Sequence, residues 1–264
     1  MGSIARFETL TRIGFAARGL TYILIGWLAL RAGRSTGPSD ALGALADGGG
    51  GRLLLIVAAI GLLAYGAWRL IEAALDIEGS GDGARGAATR IGHGLSGAAH
   101  LLLAFTAVDH ALGTSASGGD GESARAATSW LLDLPAGGLL VRLIAIALMA
   151  AGAYQIVEAI QLKFLKQLEP RAASQPWVKW IGRLGYLARG VVFVLVGLLF
   201  WRASAADNAA AAGGTGEALA SLSGTTQAVV AAGLFLFGLF SLVQAIYRRI
   251  TDPHVVERLR ARVG

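Results

Sequence analysis

The chain of 264 residues is strongly apolar and mildly basic, with 55% hydrophobic residues, 15% charged residues and a mean hydropathy of +0.59. A typical soluble domain carries about 25% charged residues, so the composition argues against a soluble fold. The net charge of +6 is better explained by basic membrane-protein loops than by nucleic-acid binding. Because the chain has no cysteine, it can form no disulfide and offers no thiolate as nucleophile or metal ligand.

Six apolar stretches are each long enough to cross about 30 Å of hydrocarbon as a helix. The predicted spans are residues 13–30, 53–75, 91–108, 139–160, 184–201 and 228–246. We do not expect a cleavable signal peptide before the first span. Residues 40–46 and 122–135 are predicted to form short interfacial helices in two of the connections, the second with Trp130 at headgroup level. The predicted fold class is therefore an all-α integral membrane protein with six transmembrane helices.

A 20-residue stretch that begins at Arg12 recurs at Arg90 and at Arg183. The odd-numbered spans align at Gly14, Gly92 and Gly185, and again at Gly19, Gly97 and Gly190. The even-numbered spans align at Gly66, Gly152 and Gly238, and at Glu72, Glu158 and Gln244. The last three residues are evenly spaced, since 158 − 72 and 244 − 158 both equal 86. The repeated unit is therefore predicted to be a two-helix hairpin.

The repeats divide the chain into five segments. We assign residues 1–12 to a cytoplasmic lead, 13–82 to repeat 1, 83–168 to repeat 2, 169–250 to repeat 3 and 251–264 to a basic cytoplasmic tail. Basic residues number 14 on the side of the two termini and 5 on the other side, so both termini are expected to be cytoplasmic. All three hairpins then have the same orientation, which suggests a pseudo-threefold axis along the membrane normal.

Two motifs recur in every repeat: R-x-G-x-x-x-R/S-G at the start, and G-x-W/Y/F-x-x-x-E/Q later. A chain with this pattern resembles the bacterial membrane family Domain of Unknown Function 1206, and the resemblance covers nearly the whole sequence. It implies three tandem two-helix units in a bacterial inner membrane. It implies no activity, substrate or cofactor.

Charged and polar side chains recur at similar depth inside the spans, about five residues from the cytoplasmic ends. They are Arg18, Arg69 and Glu72 in repeat 1, Ser96 and Glu158 in repeat 2, and Arg189 and Gln244 in repeat 3. Because an unpaired charge in a membrane is costly, we expect ion pairs. We predict that Arg18 meets Glu72 within repeat 1 and that Arg189 reaches Glu158 across a repeat boundary. Arg69 competes for Glu72 or extends to the interface.

Two interpretations of this charge cluster stay open. It is either a structural girdle that fixes the order of three similar hairpins, which we favour, or a proton relay, ion relay or anion site. A relay would be better supported by charges at the membrane midplane.

Small residues form a face on each odd-numbered span. These residues are Gly19 and Gly26, Gly97 and Ala104, and Gly190 and Gly197. Each pair lies seven residues apart and so shares one helix face. Close helix packing is the favoured interpretation, with a hinge or narrow pore as the alternative.

His93 and His100 also share a face, with Asp109 and His110 at the outer end of the same span. A catalytic zinc needs three protein ligands, and no third ligand with regular spacing is apparent. The histidines align with Phe15, Tyr22, Tyr186 and Phe193, which favours packing over metal binding or proton transfer. We find no nucleophile elbow and no phosphate-binding loop, since the Gly48–Gly51 run precedes no Lys-Ser/Thr. Neither an enzyme nor a cofactor or metal is expected.

The favoured function is a structural or accessory bundle in the bacterial inner membrane with a charge-paired cytoplasmic half. The alternative is a transporter or channel for a small solute, ion or proton. Expected surroundings are the lipid bilayer, with anionic lipids at the cytoplasmic face and no nucleic acid. A membrane-protein partner and a homo-oligomer are both compatible with the sequence.

Overall fold

The computed structural model describes residues 2–32, 37–46, 50–76, 83–114 and 120–248. In this part of the chain the structure is helical, with one isolated antiparallel β-bridge between Leu168 and Arg248. The α-helices are α1 (Gly2–Ala32), α2 (Pro38–Ala46), α3 (Gly51–Leu75), α4 (Ala84–Leu112), α5 (Asp120–Leu132), α6 (Gly137–Ile160), α7 (Pro170–Ala173), α8 (Pro176–Ala205), α9 (Thr215–Ala220) and α10 (Gly224–Tyr247). Short 3₁₀ helices occur at Lys163–Gln167 and Ala209–Ala211. The predicted tail, residues 251–264, lies outside the described residues.

The six predicted spans are confirmed as helices that, by length and composition, can cross a membrane: α1, α3, α4, α6, α8 and α10. Several of these helices extend beyond the apolar stretches. α1 begins at Gly2, so the predicted polar lead is helical, and α8 begins with Pro176 in its first turn. Proline suits this position because it lacks only an N–H that would have no partner within the helix. The apolar stretch predicts the part of a helix that can cross the membrane, whereas capping and helix propensity determine where the helix begins and ends.

A short helix follows the first long helix of each repeat. The helices predicted at residues 40–46 and 122–135 are observed as α2 and α5, whereas α9 was not predicted. Both α2 and α9 are capped by an early carboxylate: the Gly37 N–H donates to Asp40 Oδ2 at 2.9 Å, and the Gly214 N–H donates to Glu217 Oε2 at 3.0 Å. The carboxylate satisfies a backbone donor that the helix itself leaves unpaired.

The most extensive helix contacts join different repeats: α1 with α10, α3 with α4, and α6 with α8. Each contact brings two aligned glycines together, and the pairs are Gly19 with Gly238, Gly97 with Gly66, and Gly190 with Gly152. A Cβ on Gly19, Gly97 or Gly190 would lie 2.8–2.9 Å from the carbonyl oxygen of the opposite glycine. These backbones therefore approach too closely for any side chain. The small residues predicted to pack helices together lie at these three crossings.

The remaining members of the small-residue faces also lie against neighbouring helices. A Cβ on Gly26 would lie 2.7 Å from the Ala231 carbonyl oxygen, and one on Gly197 would lie 2.8 Å from the Ala145 carbonyl oxygen. Ala104 is buried in a cluster with Ala58 and Leu62 of α3. These positions lie in contacts between helices.

Repeat 2 differs from the predicted two-helix hairpin. α1 packs on α3 and α8 packs on α10, but α4 and α6 do not pack along one another in the described part of the chain. Gly14 lies against Tyr65, whereas a Cβ on the aligned Gly92 would meet nothing within 4 Å. Leu95 stands where repeat 1 has Ala17, and 64% of its surface is exposed.

The two closed hairpins show why repeat 2 stays open. Gly61 lies directly against the Cβ of Ala17, and Gly233 lies against the Cβ of Ala188 in the same way. A leucine at this position would not fit such a contact. We call the resulting surface the open face of repeat 2, formed by Gly92, Leu95 and Ala99 on α4 and by Ala147 and Ala151 on α6.

Candidate functional site: a polar network around Phe237

Two arginines from different repeats flank one aromatic ring in the interior. The guanidinium carbons of Arg18 and Arg189 each lie 5.1 Å from the centroid of the Phe237 ring. Arg18 also lies over the rings of Phe15 and Tyr65, at 4.5 and 5.3 Å. Cation–π contacts of this kind are worth more where water is excluded. The structure thus brings together residues that the sequence placed at similar depth.

Arg18 is buried, with 5% of its surface exposed, and its described hydrogen bonds all run to neutral side chains. Nε donates to Ser241 Oγ at 3.2 Å, Nη1 to Tyr65 Oη at 2.8 Å and Nη2 to Gln244 Oε1 at 2.6 Å. Two of these three partners belong to α10, so Arg18 ties repeat 1 to repeat 3. The predicted direct pair with Glu72 is replaced by these contacts.

Glu72 instead pairs with Arg69 on its own helix. Arg69 Nη1 lies 2.6 Å from Glu72 Oε2, and Arg69 Nε donates to Tyr65 Oη at 3.0 Å. Tyr65 therefore connects Arg18 to the Arg69–Glu72 pair through one hydroxyl. His93 of α4 adds a contact, with Nδ1 3.6 Å from Glu72 Oε2. Of the two roles that we expected for Arg69, the structure shows the pair with Glu72.

Arg189 reaches across the repeat boundary to α6, but it binds a different residue from the one predicted. Nη1 donates to Gln155 Oε1 at 2.5 Å and Nε donates to Tyr22 Oη at 3.0 Å. Gln155 lies one helical turn before Glu158, the predicted partner. The guanidinium also lies 4.4 Å from the Phe193 ring centroid. The predicted direction is therefore correct, but the acceptor is an amide instead of a carboxylate.

Two of the three inter-repeat contacts hold one of these arginines bound across them. Arg18 lies between α1 and α10, and Arg189 lies between α8 and α6. At the third contact α4 has Ser96 in the aligned position, and the described bonds of Arg69 run to Tyr65 and Glu72 of its own helix. A polar contact from α4 comes there from His93, which lies 3.6 Å from Glu72.

Sequence reasoning missed several members of this network: Tyr22, Tyr65, Gln155 and Ser241. Gln155 and Ser241 align with Arg69, three residues before the Glu72, Glu158 and Gln244 position. A hydrophilic residue at this place in every repeat was therefore a usable signal. The two tyrosines gave none, because aromatic residues at these depths are common packing residues.

The histidines of α4 make packing and hydrogen-bond contacts. His100 Nδ1 donates to the Ser96 carbonyl oxygen at 2.7 Å, and its ring lies edge-on to Tyr65 at 4.6 Å. His110, at the outer end of α4, lies close to Gly43 of α2. Among the residues that the structure describes, no three His, Asp or Glu side chains form a group that could hold a metal ion. The packing interpretation of His100 is confirmed.

A second polar region lies between the short helices. A cleft of about 230 Å³ is lined by one carboxylate from each of α2, α5 and α9, namely Asp40, Glu122 and Glu217, together with Arg125. Arg125 Nη2 lies 3.0 Å from Glu217 Oε1, so an ion pair joins repeat 2 to repeat 3 at this end of the bundle. The region links the short helices much as the Phe237 network links the long ones.

Comparison with known proteins agrees with the repeat structure. The model of the family "Domain of Unknown Function (DUF1206)" matches residues 13–76, 91–161 and 184–248. "Uncharacterized protein YxxB" of Bacillus subtilis (strain 168) is 29% identical over 252 residues, covering 91% of this chain and 90% of that protein. No solved structure matches. With three tandem matches over most of its length and six helices able to span a membrane, the chain is a multi-pass membrane protein that belongs to the DUF1206 family.

Proposed function

We propose that this protein is a structural or accessory bundle of the bacterial inner membrane, without catalytic activity. The observation that carries the proposal is the polar network around Phe237. The buried Arg18 and the half-buried Arg189 bind side chains of neighbouring repeats, as Arg18 binds Ser241 and Arg189 binds Gln155. Polar contacts inside an apolar bundle favour one arrangement of similar helices over the others. The network therefore serves to fix the order of the three repeats.

The proposed arrangement has a pseudo-threefold axis along the membrane normal and both termini in the cytoplasm. Two features support it. The same glycine crossing recurs between α1 and α10, α3 and α4, and α6 and α8. The excess of basic residues on the side of the two termini fits a cytoplasmic location and contact with anionic lipid.

The open face of repeat 2 supports an accessory role. In repeats 1 and 3 the aligned positions are covered by a helix of the same hairpin, whereas Gly92, Ala99 and Ala147 are exposed. Small residues allow two membrane helices to approach closely, and packing is what drives their association. We propose that a transmembrane helix of a partner protein lies on this face.

Transport is the rival function, and ion or proton flux in proteoliposomes decides between the two. The purified wild-type protein is compared with Glu158→Gln, since Glu158 is the half-buried carboxylate of α6. A structural bundle gives the same flux as protein-free liposomes for both proteins. Recovery of folded protein in the liposomes is checked by its helical circular dichroism.

The opposite result would be flux in the wild type that Glu158→Gln abolishes. Such a result would make the charged interior a conduction path and would refute the structural proposal. Flux that survives Glu158→Gln would refute it as well, while excluding this carboxylate from the path.

A further inference from the structure

Arg18 and Gln244 have hydrogen-bond donors that no described acceptor satisfies. A guanidinium has five N–H groups, and the described bonds of Arg18 use one on each nitrogen. One N–H therefore remains on Nη1 and one on Nη2. Gln244 Nε2 is also buried and has no hydrogen-bond partner among the described residues. Arg18 and Gln244 are 5% and 1% exposed, so bulk water does not satisfy these donors.

The orientation of the Gln244 amide is fixed by Arg18. Its Oε1 accepts from Arg18 Nη2 at 2.6 Å, and turning the amide over would place two donors against each other. Nε2 is bonded to the same carbon as Oε1, so it lies beside Arg18 Nη2. Unused donors from α1 and α10 are therefore next to one another. A buried donor left without an acceptor costs about 1–3 kcal/mol.

The charges of the network are also unequal. Among its described residues the network has three arginines, Arg18, Arg69 and Arg189, and two glutamates, Glu72 and the half-buried Glu158 of α6. Uncompensated charge inside a membrane protein is costly and normally has a partner.

The repeats show which negative charge is missing. Glu72 and Glu158 align with Gln244, so the carboxylate position of repeats 1 and 2 is a neutral amide in repeat 3. This amide is the residue that Arg18 binds. We propose that a small inorganic anion, of the chloride class, binds beside Arg18 and Gln244 and supplies the negative charge that repeat 3 lacks. Its role is structural, and it does not depend on whether the protein conducts ions.

Gln244→Glu provides the test, because the side-chain oxygen that accepts from Arg18 then belongs to a carboxylate. The wild type is unfolded thermally in detergent with gluconate as the anion, and chloride then replaces gluconate at constant ionic strength. We expect the apparent Tm to rise by about 5 °C and to saturate, as for any ligand that binds the folded state. Gln244→Glu should lose this shift and melt without chloride at least as high as the wild type with chloride.

Gln227→Glu is the matched control. It makes the same substitution on the same helix, at a half-exposed position far along α10 from Gln244, and should keep the wild-type chloride shift. An equal Tm for the wild type in gluconate and chloride would overturn the proposal, as would an unchanged chloride shift in Gln244→Glu. If Gln244→Glu does not fold, equilibrium binding of radioactive chloride to the wild type decides. One saturable site per chain supports the proposal, and binding without saturation overturns it.

Discussion

The hydroxyl of Tyr65 holds two guanidiniums at once. Arg18 Nη1 donates to it at 2.8 Å and Arg69 Nε at 3.0 Å, while the ring itself is buried against Phe15 and His100. Hydrogen bonds to charged groups each contribute about 1.5–3 kcal/mol to stability, and more is lost when a buried donor is left without a partner. A single oxygen thus joins the contact between repeats 1 and 3 to the contact between repeats 1 and 2.

We predict that Tyr65→Phe lowers the free energy of unfolding by about 2–4 kcal/mol, because a buried and a half-buried N–H donor lose their acceptor while the packing volume is kept. Denaturant titration in mixed micelles measures the change. Tyr247→Phe, at an exposed position near the end of α10, is the control and should change stability by less than about 1 kcal/mol. Equal effects of the two substitutions would show that Tyr65 acts through packing alone.

Among single residues the sequence predicted which charges lie within the apolar spans, but not the side chains that accept their hydrogen bonds. Membrane burial makes an arginine at the position of Arg18 conspicuous, and a carboxylate is its expected partner. Serine, glutamine and tyrosine also accept from a guanidinium, yet they occur throughout membrane helices. Choosing among them requires knowing that α10 lies beside α1, which hydrophobicity and spacing do not reveal.

Aligned glycines within one helix have different surroundings in this fold. On α4, a Cβ on Gly97 would lie 2.9 Å from the Gly66 carbonyl oxygen, whereas a Cβ on Gly92 would meet nothing within 4 Å. In repeat 1 both aligned positions, Gly14 and Gly19, are in close contact with other helices. The same residue type is therefore required by packing at Gly97 and free of that requirement at Gly92.

We predict opposite effects for two alanine substitutions on α4. Gly97→Ala should destabilise the protein by about 1–3 kcal/mol, because the added methyl group forces α3 and α4 apart. Gly92→Ala should leave stability unchanged or raise it by up to about 1 kcal/mol through helix propensity. Thermal unfolding of the two variants under identical conditions measures the difference, and destabilisation by both would mean that Gly92 is also covered.

The long helices were the most predictable elements. Apolar stretches long enough to span the membrane located all six, and the internal repeat identified the glycines at which they cross. The short helix α9 was missed because TGEALA is a six-residue segment between glycine-rich and serine-containing turns, without a measurable period. Its start depends on the Gly214 N–H donating to Glu217 Oε2. This local contact is of the same kind as the Gly37 N–H donating to Asp40 Oδ2 at the start of α2.

The repeat pattern predicted three closed hairpins, and the molecule forms two. Ala17 and Tyr65 line the hairpin of repeat 1, and Ala188 and Phe237 line that of repeat 3. Repeat 2 has Leu95 and Ala151 at these positions, a large residue in place of a small one and a small residue in place of a large one. The hydrophobic pattern is unchanged by such an exchange and therefore did not predict it, although the shapes of the two helices no longer match.

Pairs of cysteines can measure whether this hairpin is open in a membrane, since the chain has no cysteine of its own. Ala73→Cys with Gly94→Cys is the positive control and should form a disulfide on mild oxidation in nanodiscs, because a Cβ on Gly94 would lie 3.8 Å from the Ala73 Cβ, a separation that suits a disulfide. The pair across repeat 2, Leu95→Cys with Ala147→Cys, should stay reduced, because α4 and α6 do not pack along one another and both positions are exposed. Mass spectrometry of peptides linked by disulfides measures both yields.

Efficient linkage of residues 95 and 147 would show that the bilayer closes repeat 2, and the proposed docking face for a partner helix would then not exist. Linkage confined to residues 73 and 94 would leave that face exposed within the membrane, as its accessory role requires.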